Sequence, residues 1–535
     1  MKKRLLKARC MSEFEKMKEW NISDFEDDSV WDLICDGQTK GVFQLESSLG
    51  KHWAKQVKPR NIKELAALIS LIRPGCLKAK DANGKSMTQV YVDRKSNKEP
   101  VTYPSSALEE ILSETYGVLV YQEQSMKIAQ KLAGFDLKEA DALRKAIGKK
   151  KADLMEKVKK SFLEGAASQG IVTTEVAEEI FSWIEKSNRY AFNKSHAVSY
   201  AINAYWSAYC KNYRRVKFYV SYLNHSDRKP DSQREMKELI VDAKFSDVEV
   251  YPPRLGHLHT DFYSEGNTIY FGLNHIKHVG KNECEKIEKI CAEADVSLYS
   301  WMDVLTKIIY KGRLNKRSAI ALISVGAFNG VNNTKDRQAM LYEYDSWRDL
   351  TAREQEYIYS NRYEFDQNSS LKDAMSSLIN NCKINSRRMS SVLNIKQMLD
   401  KPPHDLKDSI PMIASGETEY LSCALTCSNA DSFDINFASS LCKDIARGTI
   451  TGKTRLAAQI NTIRLHKTKR GKNPGQLMAF LSAEDGSGEL DSITVFPECY
   501  DKHKDILIEG NTVLMSGEIS KRENTSLIVN KVSQI

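Results

Sequence analysis

The spacing of apolar and polar positions predicts that most of the chain is helical. In residues 11–20, MSEFEKMKEW, apolar side chains recur at the interval of an amphipathic helix, and the acidic run DFEDD at 24–28 interrupts them. Residues 116–133, YGVLVYQEQSMKIAQKLA, pass from a short strand into an amphipathic helix. Helices continue through residues 204–223, where aromatic and basic side chains interleave. Aromatic residues at this spacing predict core positions, and the cations among them predict the exposed face.

The pattern changes after about residue 245. The runs VEVYPPRL, at 248–255, and FYSEGNTIYFGL, at 262–273, predict strands, the second as a hairpin with Glu-Gly-Asn in its turn. In residues 274–290, NHIKHVGKNECEKIEKI, a Val-Gly turn leads into a helix. This is the shape of a helix-hairpin-helix motif, which offers backbone amides to a DNA phosphate without reading base sequence. Residues 330–450 predict helices with polar breaks.

The chain from Arg455 onward predicts an all-β domain. Five strand candidates follow one another, and the helix-like segment ECYDKHKDIL lies between the third and the fourth. That order is typical of the OB-fold, which is often used to bind single-stranded nucleic acid. Because OB-folds also bind proteins and sugars, the fold alone leaves the ligand open.

Length and composition indicate a folded protein of several domains. At roughly 150 residues per domain, 535 residues predict three or four domains. The net charge of +9 suggests a polyanionic partner only weakly. No apolar run approaches the roughly 20 residues of a membrane span, and the basic N-terminus has no apolar run behind it. We therefore expect an intracellular protein that does not enter a membrane.

Two groups of potential metal ligands are interpreted as structural. Cys423 and Cys427 have no further Cys or His cluster nearby, so we expect ordinary thiols rather than zinc ligands. Asp27 and Asp28 are adjacent, and because adjacent side chains on a helix diverge, we expect a solvated acidic turn rather than a Mg²⁺ site.

Residues 189–201, RYAFNKSHAVSYA, combine basic, hydroxyl, imidazole and aromatic groups in thirteen positions. Asn193 is a good N-cap and predicts a helix that starts near Lys194. The free N–H groups of its first turn, together with three side chains, would hold phosphates. These side chains are Lys194, Ser195 and His196, and Tyr190, Phe192 and Tyr200 would provide a stacking face for a base. A buried helix start with a hydrogen-bonded histidine explains the same residues, so both interpretations stay open here.

The tract at 139–151, EADALRKAIGKKK, is a second candidate for phosphate binding. Arg144 and Lys145 precede a glycine, and three lysines follow it. Five cations would attract a phosphate, but an exposed basic helix end that complements its own dipole has the same sequence pattern. The tract alone does not separate these two interpretations.

Several motifs occur in the order in which a known family carries them. GVFQLES, LIRPG, YGVLVYQEQ, ALRKAIGKKK, YAFNKSHAVSYA, YFGLNHIKHVG, LISVGAF and QLMAFLSAEDGSGELDSITVFPECY together resemble the bacterial DNA polymerase III alpha subunits, the C family of replicative polymerases. The resemblance covers the C-terminal half of such a subunit. It implies a multidomain α+β fold: 1–40 as a palm-to-fingers connection and possible partner interface, 41–245 as largely helical fingers, 246–330 as a tandem helix-hairpin-helix region, 331–450 as a helical connector and 451–535 as a five-stranded OB-type β-barrel.

The resemblance also implies which residues meet nucleotide and DNA. Lys145 stands where the family usually has Arg, and since Lys does not make the bidentate fork of Arg, that contact is expected to be weaker or differently placed. The implied dNTP-binding residues are Arg73, Gln122, Arg144, Lys145, Asn193, Lys194, Ser195, His196 and Tyr200. The implied DNA-binding residues are Lys149, Lys150, Lys151, Lys277, His278, Gly280 and Lys281.

The residues that would perform nucleotidyl transfer are not found in this sequence. The reaction needs carboxylates that hold two Mg²⁺ ions roughly 4 Å apart, and in this family an Asp-x-Asp strand and a later Asp of the palm supply them. No strand candidate in the chain offers such an Asp-x-Asp. Because Met1 followed by KKRLLKARC is typical of a natural start, we predict a split polymerase; a truncated or processed form of a longer chain would have the same sequence. A separate palm-bearing chain would hold the Mg²⁺, and this chain alone would be inactive.

The resemblance implies primer-template DNA and dNTP as ligands, the cytoplasm of a bacterial cell (the host cell, if the gene belongs to a phage) as location, and a sliding clamp as a possible partner. QNSSL at 367–371 and KQMLD at 396–400 are the nearest counterparts of the family's clamp-binding peptide. An alternative function is a DNA-binding accessory protein, derived from a polymerase but without a role in nucleotidyl transfer. Such a protein would have no reason to keep NKSH, RPG and the tract at 139–151 together.

Overall fold

The computed structural model describes residues 25–81, 83–149, 152–187, 191–365, 369–433, 437–468, 474–521 and 524–535. Lys150, Lys151 and Tyr190, which the sequence singled out, lie outside the described residues, as do residues 1–24 and the start of QNSSL. The chain divides into two compact units, with the boundary between Phe218 and Tyr219.

The first unit is built from helices. Asp27 caps the first of them by accepting hydrogen bonds from the backbone N–H groups of Ser29 and Val30, a structural role for one of the two adjacent carboxylates.

The strand predicted near residue 118 is wrong: the described backbone forms only an isolated parallel bridge there, between Tyr121 and Phe192. The helices are Asp28–Cys35, Ser48–Val57, Ile62–Leu71, Pro74–Lys78, Met87–Lys95, Glu109–Leu112, Gln122–Ala133, Leu137–Lys149, Ala152–Gln169, Thr174–Ser187 and Lys194–Tyr213.

Small residues allow the central helix of this unit to approach its neighbour closely. On the helix Lys194–Tyr213, one face carries four fully buried alanines and packs against the helix Ile62–Leu71. Their spacing of four, three and four residues keeps them on a single stripe. The alanines are Ala197, Ala201, Ala204 and Ala208. The opposite face therefore remains available at the surface.

A second core in the first unit lies among the four helices that follow residue 121. The helices Gln122–Ala133 and Ala152–Gln169 cross so closely that a Cβ added at Gly165 would lie 2.2 Å from the carbonyl oxygen of Ala133. Leu143 and Ala146 bury the inner side of the helix Leu137–Lys149 in this core. The outer side of that helix carries Arg144 and Lys145.

The second unit contains a small three-stranded sheet in the order β1-β3-β2. Its strands are β1 (Glu249–Tyr251), β2 (Tyr263–Glu265) and β3 (Thr268–Tyr270). The antiparallel pair β2–β3 is the predicted hairpin, and Gly266 supplies the positive φ of 58° that its turn requires.

The helix Arg215–Leu223 spans the boundary between the units. The remaining helices are Ser232–Phe245, Lys281–Glu293, Trp301–Asp303, the π-helical Val304–Lys311, Lys316–Ser324, Arg337–Arg348, Ala352–Ser360, Leu371–Asn381, Ser386–Asp400, Ile410–Leu421, Cys442–Ala446 and Pro497–His503.

The C-terminal domain is a closed five-stranded barrel. Its strands are β4 (Lys453–Lys467), β5 (Leu477–Asp485), β6 (Gly488–Val495), β7 (Thr512–Ile519) and β8 (Leu527–Gln534). They close in the order β4-β5-β6-β8-β7, with β6 and β8 parallel and a helix between β6 and β7. This arrangement confirms the predicted OB-type barrel and the α+β fold class.

Candidate nucleotide and DNA site

The helix Lys194–Tyr213 begins where the sequence predicts. The side chain of Asn193 caps it, and its Oδ1 accepts hydrogen bonds from the backbone N–H of His196, at 2.9 Å, and from Ser195 Oγ, at 2.7 Å. This cap is local and depends only on residues within three positions of Asn193. It fixes the direction in which the first turn presents its side chains.

A continuous row of rings and one guanidinium runs along this helix start. The guanidinium carbon of Arg73 lies 3.7 Å from the ring centroid of Phe192. From Phe192 the row continues to His196, at 5.2 Å between ring centroids, and then to Tyr200, at 4.1 Å. Phe43 packs edge-on against Tyr200 at 5.0 Å. Three of the implied nucleotide-site positions, 73, 196 and 200, therefore lie in one row, and His196 is exposed within it.

Gln122 lies beside this row and helps to hold it. Its backbone N–H donates to the carbonyl of Phe192 at 3.0 Å, and its side-chain amide donates to the carbonyl of Ala191 at 3.3 Å. The backbone N–H of Phe192 donates in turn to the carbonyl of Val120. Gln122 thus fixes the segment that leads into the helix.

Two glutamates that sequence reasoning missed bind the N–H and ammonium groups at the helix start. Glu123 accepts from the backbone N–H of Lys194 at 2.9 Å and from the Asn193 amide at 2.7 Å. Glu114 holds the ammonium of Lys194, with its two oxygens at 2.7 and 2.8 Å. These contacts join positions 71 and 80 residues apart in the chain, so local sequence pattern gives no signal for them.

Arg144 and Lys145 lie on the helix Leu137–Lys149, which packs against the helices Gln122–Ala133 and Ala152–Gln169, and they share one partner. Arg144 donates to Asp141 Oδ1 through Nε at 2.9 Å and Nη2 at 2.7 Å, and Lys145 Nζ lies 2.7 Å from Asp141 Oδ2. The Lys145 ammonium, followed by the Arg144 guanidinium, holds the pKa of the Asp141 carboxyl below its usual range. Within the described part of the first unit, neither cation hydrogen-bonds to the row from Arg73 to Tyr200. Lys149 ends the same helix.

The turn between residues 276 and 281 presents the predicted DNA-binding group to solvent. Lys277, His278, Gly280 and Lys281 are all exposed. His278 adopts a left-handed φ of 71°, and Gly280 caps the helix Lys281–Glu293 without a side chain. Such a helix start leaves backbone N–H groups available to a phosphate.

A second helix start lies beside this turn. Ser318 Oγ donates to the carbonyl of His278 at 2.6 Å, which ties the turn to the helix Lys316–Ser324. This brings two further exposed cations to the same surface, Lys316 and Arg317, which sequence reasoning missed. A basic pair directly after the N-cap residue Asn315 was the available signal.

The second Val-Gly turn, in LISVGAF at 322–328, differs from the first because it is buried throughout. A Cβ added at Gly326 would lie 2.8 Å from a guanidinium nitrogen of Arg337. Arg337 donates to the carbonyl of Ser324 and to Glu417, both at 2.9 Å, and Glu417 is fully buried. This turn is therefore anchored to the interior of the unit and does not face solvent.

The barrel carries exposed apolar and basic side chains at one end of the β4–β5 pair. Phe480 is exposed and lies opposite Arg464 in the strand register. The ring of His466 lies 6.4 Å from that of Phe480. Exposed leucines at 465 and 477 lie on the opposite face of the same strand pair, because successive residues of a strand point to opposite faces. Aromatic rings among cations are typical of surfaces on which single-stranded bases stack.

The described residues hold neither a cluster of metal ligands nor a membrane-spanning helix. In the described ranges, no three side chains of His, Cys, Asp or Glu come together as ligands for a metal ion. Burial raises the pKa of the Cys423 thiol to about 12. None of the described helices has the length and the apolar composition needed to cross a bilayer.

Comparison with known proteins matches two regions of the chain to protein families. A family described as the bacterial DNA polymerase III alpha subunit finger domain matches residues 4–170. The helix-hairpin-helix motif family matches residues 247–339, which include both Val-Gly turns.

Curated relatives match nearly the whole chain. DNA polymerase III subunit alpha of Aquifex aeolicus (strain VF5) is 32% identical over 516 residues, which are 95% of this chain and 39% of that protein. The protein of the same name from Bacillus subtilis (strain 168) is 28% identical over 517 residues, 95% of this chain and 42% of that protein. That from Thermus aquaticus is 35% identical over 329 residues, 60% of this chain and 26% of that protein. The chain thus spans about two fifths of the length of the first two relatives, 39% and 42%.

Proposed function

We propose, from the similarity of this chain to the fingers and helix-hairpin-helix regions of bacterial DNA polymerase III alpha subunits, that it is the part of a replicative DNA polymerase that holds the incoming dNTP and the primer-template. The observation that carries the proposal is the row from Arg73 through Phe192 and His196 to Tyr200 at the start of the helix Lys194–Tyr213. It offers a stacking surface directly beside cations, as a nucleotide requires.

In this proposal the nucleoside of the dNTP lies against the rings of His196 and Tyr200. The triphosphate is bound by Lys194 and by the exposed face of the helix that carries Arg144 and Lys145. Asn193, Ser195 and Gln122 act mainly by fixing the helix start, since their polar atoms bond to neighbouring protein groups. Residues 41–245 would then act as the fingers.

Duplex DNA is bound in this proposal by the surface at residues 277–281, with residues 246–330 as the helix-hairpin-helix region. The helix starts at Lys281 and Lys316 give phosphates backbone N–H groups and cations without base contacts. The basic tract through Lys149, Lys150 and Lys151 adds phosphate contacts from the fingers. The barrel surface around Phe480, in the domain at 451–535, binds the unpaired template strand, and residues 331–450 connect the two.

The carboxylates that hold Mg²⁺ would belong to a separate palm-bearing chain, with residues 1–40 as the surface that meets it. Two observations support this: the two matching families are the fingers and the helix-hairpin-helix, and no strand candidate in the sequence carries an Asp-x-Asp of the palm type. The assembly would act in the bacterial cytoplasm. Of the two peptides considered for clamp binding, residues 396–400 lie within the helix Ser386–Asp400, so we do not assign the clamp contact to them.

Primer extension tests the proposal. The purified chain alone is expected to be inactive, and addition of a palm-bearing polypeptide from the same source is expected to restore DNA synthesis. Extension by the pure chain would refute the separate palm. Binding of a labelled dNTP to the chain with primer-template separates the polymerase from a DNA-binding accessory protein, because the accessory protein would bind the DNA and not the dNTP.

A further inference from the structure

The cations of the proposed nucleotide site form ion pairs with carboxylates of the same chain. The two oxygens of Glu114 lie 2.7 and 2.8 Å from the ammonium of Lys194. Arg144 and Lys145 are each 2.7 Å from the carboxylate of Asp141. All three cations assigned to the triphosphate therefore have a protein anion as their partner. A triphosphate that binds them must take the place of these carboxylates or share the cations with them.

The pair of Lys194 and Glu114 has the properties of an exchangeable contact. The side chains are 36% and 30% exposed, and ion pairs at such a surface are weak because water solvates both charges. The flexible four-carbon stem of a lysine also allows its ammonium to turn from one anion to another nearby.

The backbone that carries Glu114 is fixed, in contrast to the side chain of Lys194. Residue 114 lies in the short turn Ser113–Thr115. Thr115 is buried, and its hydroxyl lies 2.6 Å from the carbonyl of Val118 and 2.8 Å from the amide of Gln124. The backbone of residue 114 therefore keeps its position near the helix start whether or not its carboxylate is bound to Lys194.

We propose that Glu114 is the resident counter-ion of Lys194 and that the triphosphate of a dNTP displaces it. The inference rests on the proposed function. Because Glu114 is part of the same chain, its effective concentration at Lys194 is high, and a single phosphate group competes with it poorly. A triphosphate carries several charges on linked groups and also reaches other cations, whereas each backbone phosphate of DNA carries one charge. Glu114 thereby keeps Lys194 from binding DNA phosphates and leaves it available to a triphosphate, and Asp141 does the same for Arg144 and Lys145.

The test uses the whole chain with primer-template and Mg²⁺, and measures the Kd of a ribose-labelled dNTP by fluorescence. Glu114→Gln keeps the size of the side chain and removes its charge, so the Kd is expected to fall by up to about fivefold. Inorganic orthophosphate, a poor competitor of the labelled dNTP in the unsubstituted chain, is expected to compete at lower concentration. Asp141→Asn is expected to act in the same direction.

Glu110→Gln is the matched control. Glu110 lies four positions from Glu114 and forms an ion pair at 2.6 Å with Lys131, which is not among the cations assigned to the triphosphate, so its loss is expected to leave the Kd unchanged. Lys194→Ala distinguishes a failure of the role proposed for Glu114 from a failure of the triphosphate site itself. If Lys194→Ala raises the Kd while Glu114→Gln leaves it unchanged or raises it, Glu114 only orients Lys194 and the inference is overturned while the nucleotide site stands. If Lys194→Ala has no effect, the triphosphate assignment itself fails and the inference fails with it.

Discussion

The rings of His196 and Tyr200 lie 4.1 Å apart, centroid to centroid, with their planes tilted by 47°. Residues four positions apart are neighbours on a helix surface, so the two rings form one continuous face. Phe192 and Phe43 extend that face at its two ends. Because the row rests on a capped helix start, a nucleoside that stacks on it meets rings whose positions are already set.

Loss of the Tyr200 ring is expected to weaken nucleotide binding. Stacking of a base on an aromatic side chain contributes about 1–3 kcal/mol, so Tyr200→Ala should raise the Kd of a labelled dNTP by at least about fivefold. Tyr200→Phe keeps the ring and should stay close to the unsubstituted chain. Tyr363→Ala, which removes a tyrosine that is 80% exposed in the second unit, is the control. Equal effects of Tyr200→Ala and Tyr363→Ala would remove Tyr200 from the site.

The cations around the first Val-Gly turn are expected to set the salt dependence of duplex binding. Each phosphate contact contributes about 0.9 to the slope of log K against log salt concentration, so Lys277→Ala combined with Lys281→Ala should lower that slope by roughly two. Binding should weaken equally for duplexes of unrelated sequence. Lys504→Ala, which removes an exposed lysine paired with Asp501 on the barrel, should leave the slope unchanged. A slope that falls equally in both variants would contradict the assignment.

The buried pair of Arg337 and Glu417 is expected to be important for stability. Glu417 also accepts from the backbone N–H groups of Leu425 and Thr426, at 2.6 and 2.8 Å. Glu417→Ala would leave a buried guanidinium without its anion, and such losses cost about 3–5 kcal/mol. Denaturant unfolding of the chain measures the change. Asp501→Ala breaks an exposed pair and should cost well under 1 kcal/mol by the same measurement.

The alanine stripe is expected to tolerate no larger side chain. Ala201 is fully buried against the helix Ile62–Leu71, so Ala201→Leu should lower the free energy of unfolding by about 1–3 kcal/mol. The same variant should weaken dNTP binding, since Tyr200 and His196 lie on that helix. Asn203→Leu places the same side chain on the exposed side and serves as the control. A loss of stability from Asn203→Leu that matches Ala201→Leu would show that packing is not the cause.

Stability of the second unit is expected to fall as the pH drops below 6.5. Burial lowers the pKa of His275, whose ring packs 4.8 Å from that of Phe262. Because the histidine then takes up its proton at a lower pH in the folded state than in the unfolded state, its contribution to the free energy of unfolding is constant above pH 7. Below that pH the free energy of unfolding decreases, by at most about 1.4 kcal/mol per pH unit. Thermal unfolding of His275→Gln between pH 7 and 5 should show a shallower decline than the unsubstituted chain.

Local features of the fold were predictable from the sequence, because they depend on neighbouring residues. The start of a helix at Lys194 follows from the Asn193 cap, and the barrel order follows from strand alternation and the position of one helix. The strand predicted near residue 118 was wrong because the run is short and pairs with Phe192 through a single bridge. The family resemblance was confirmed by the matches to fingers and helix-hairpin-helix families.

The partners of the site residues were not predictable, because they come from distant parts of the chain. Glu114 meets Lys194 across 80 positions, and Ser318 meets the carbonyl of His278 across 40. The two Val-Gly turns are alike in sequence, yet one is exposed and the other is covered by Arg337 and Glu417. Only the packing of the unit distinguishes a turn that meets solvent from one that anchors the interior.

The close fit of the alanine stripe against the helix Ile62–Leu71 limits how this unit can move. Because four fully buried alanines line one face of the helix Lys194–Tyr213, which packs against the helix Ile62–Leu71, this helix has little freedom to rotate about its own axis or to slide. Any motion that displaces His196 must therefore carry both helices together as one rigid body. The bending that such a motion needs falls outside this pair of helices, in the segments that connect it to the rest of the chain.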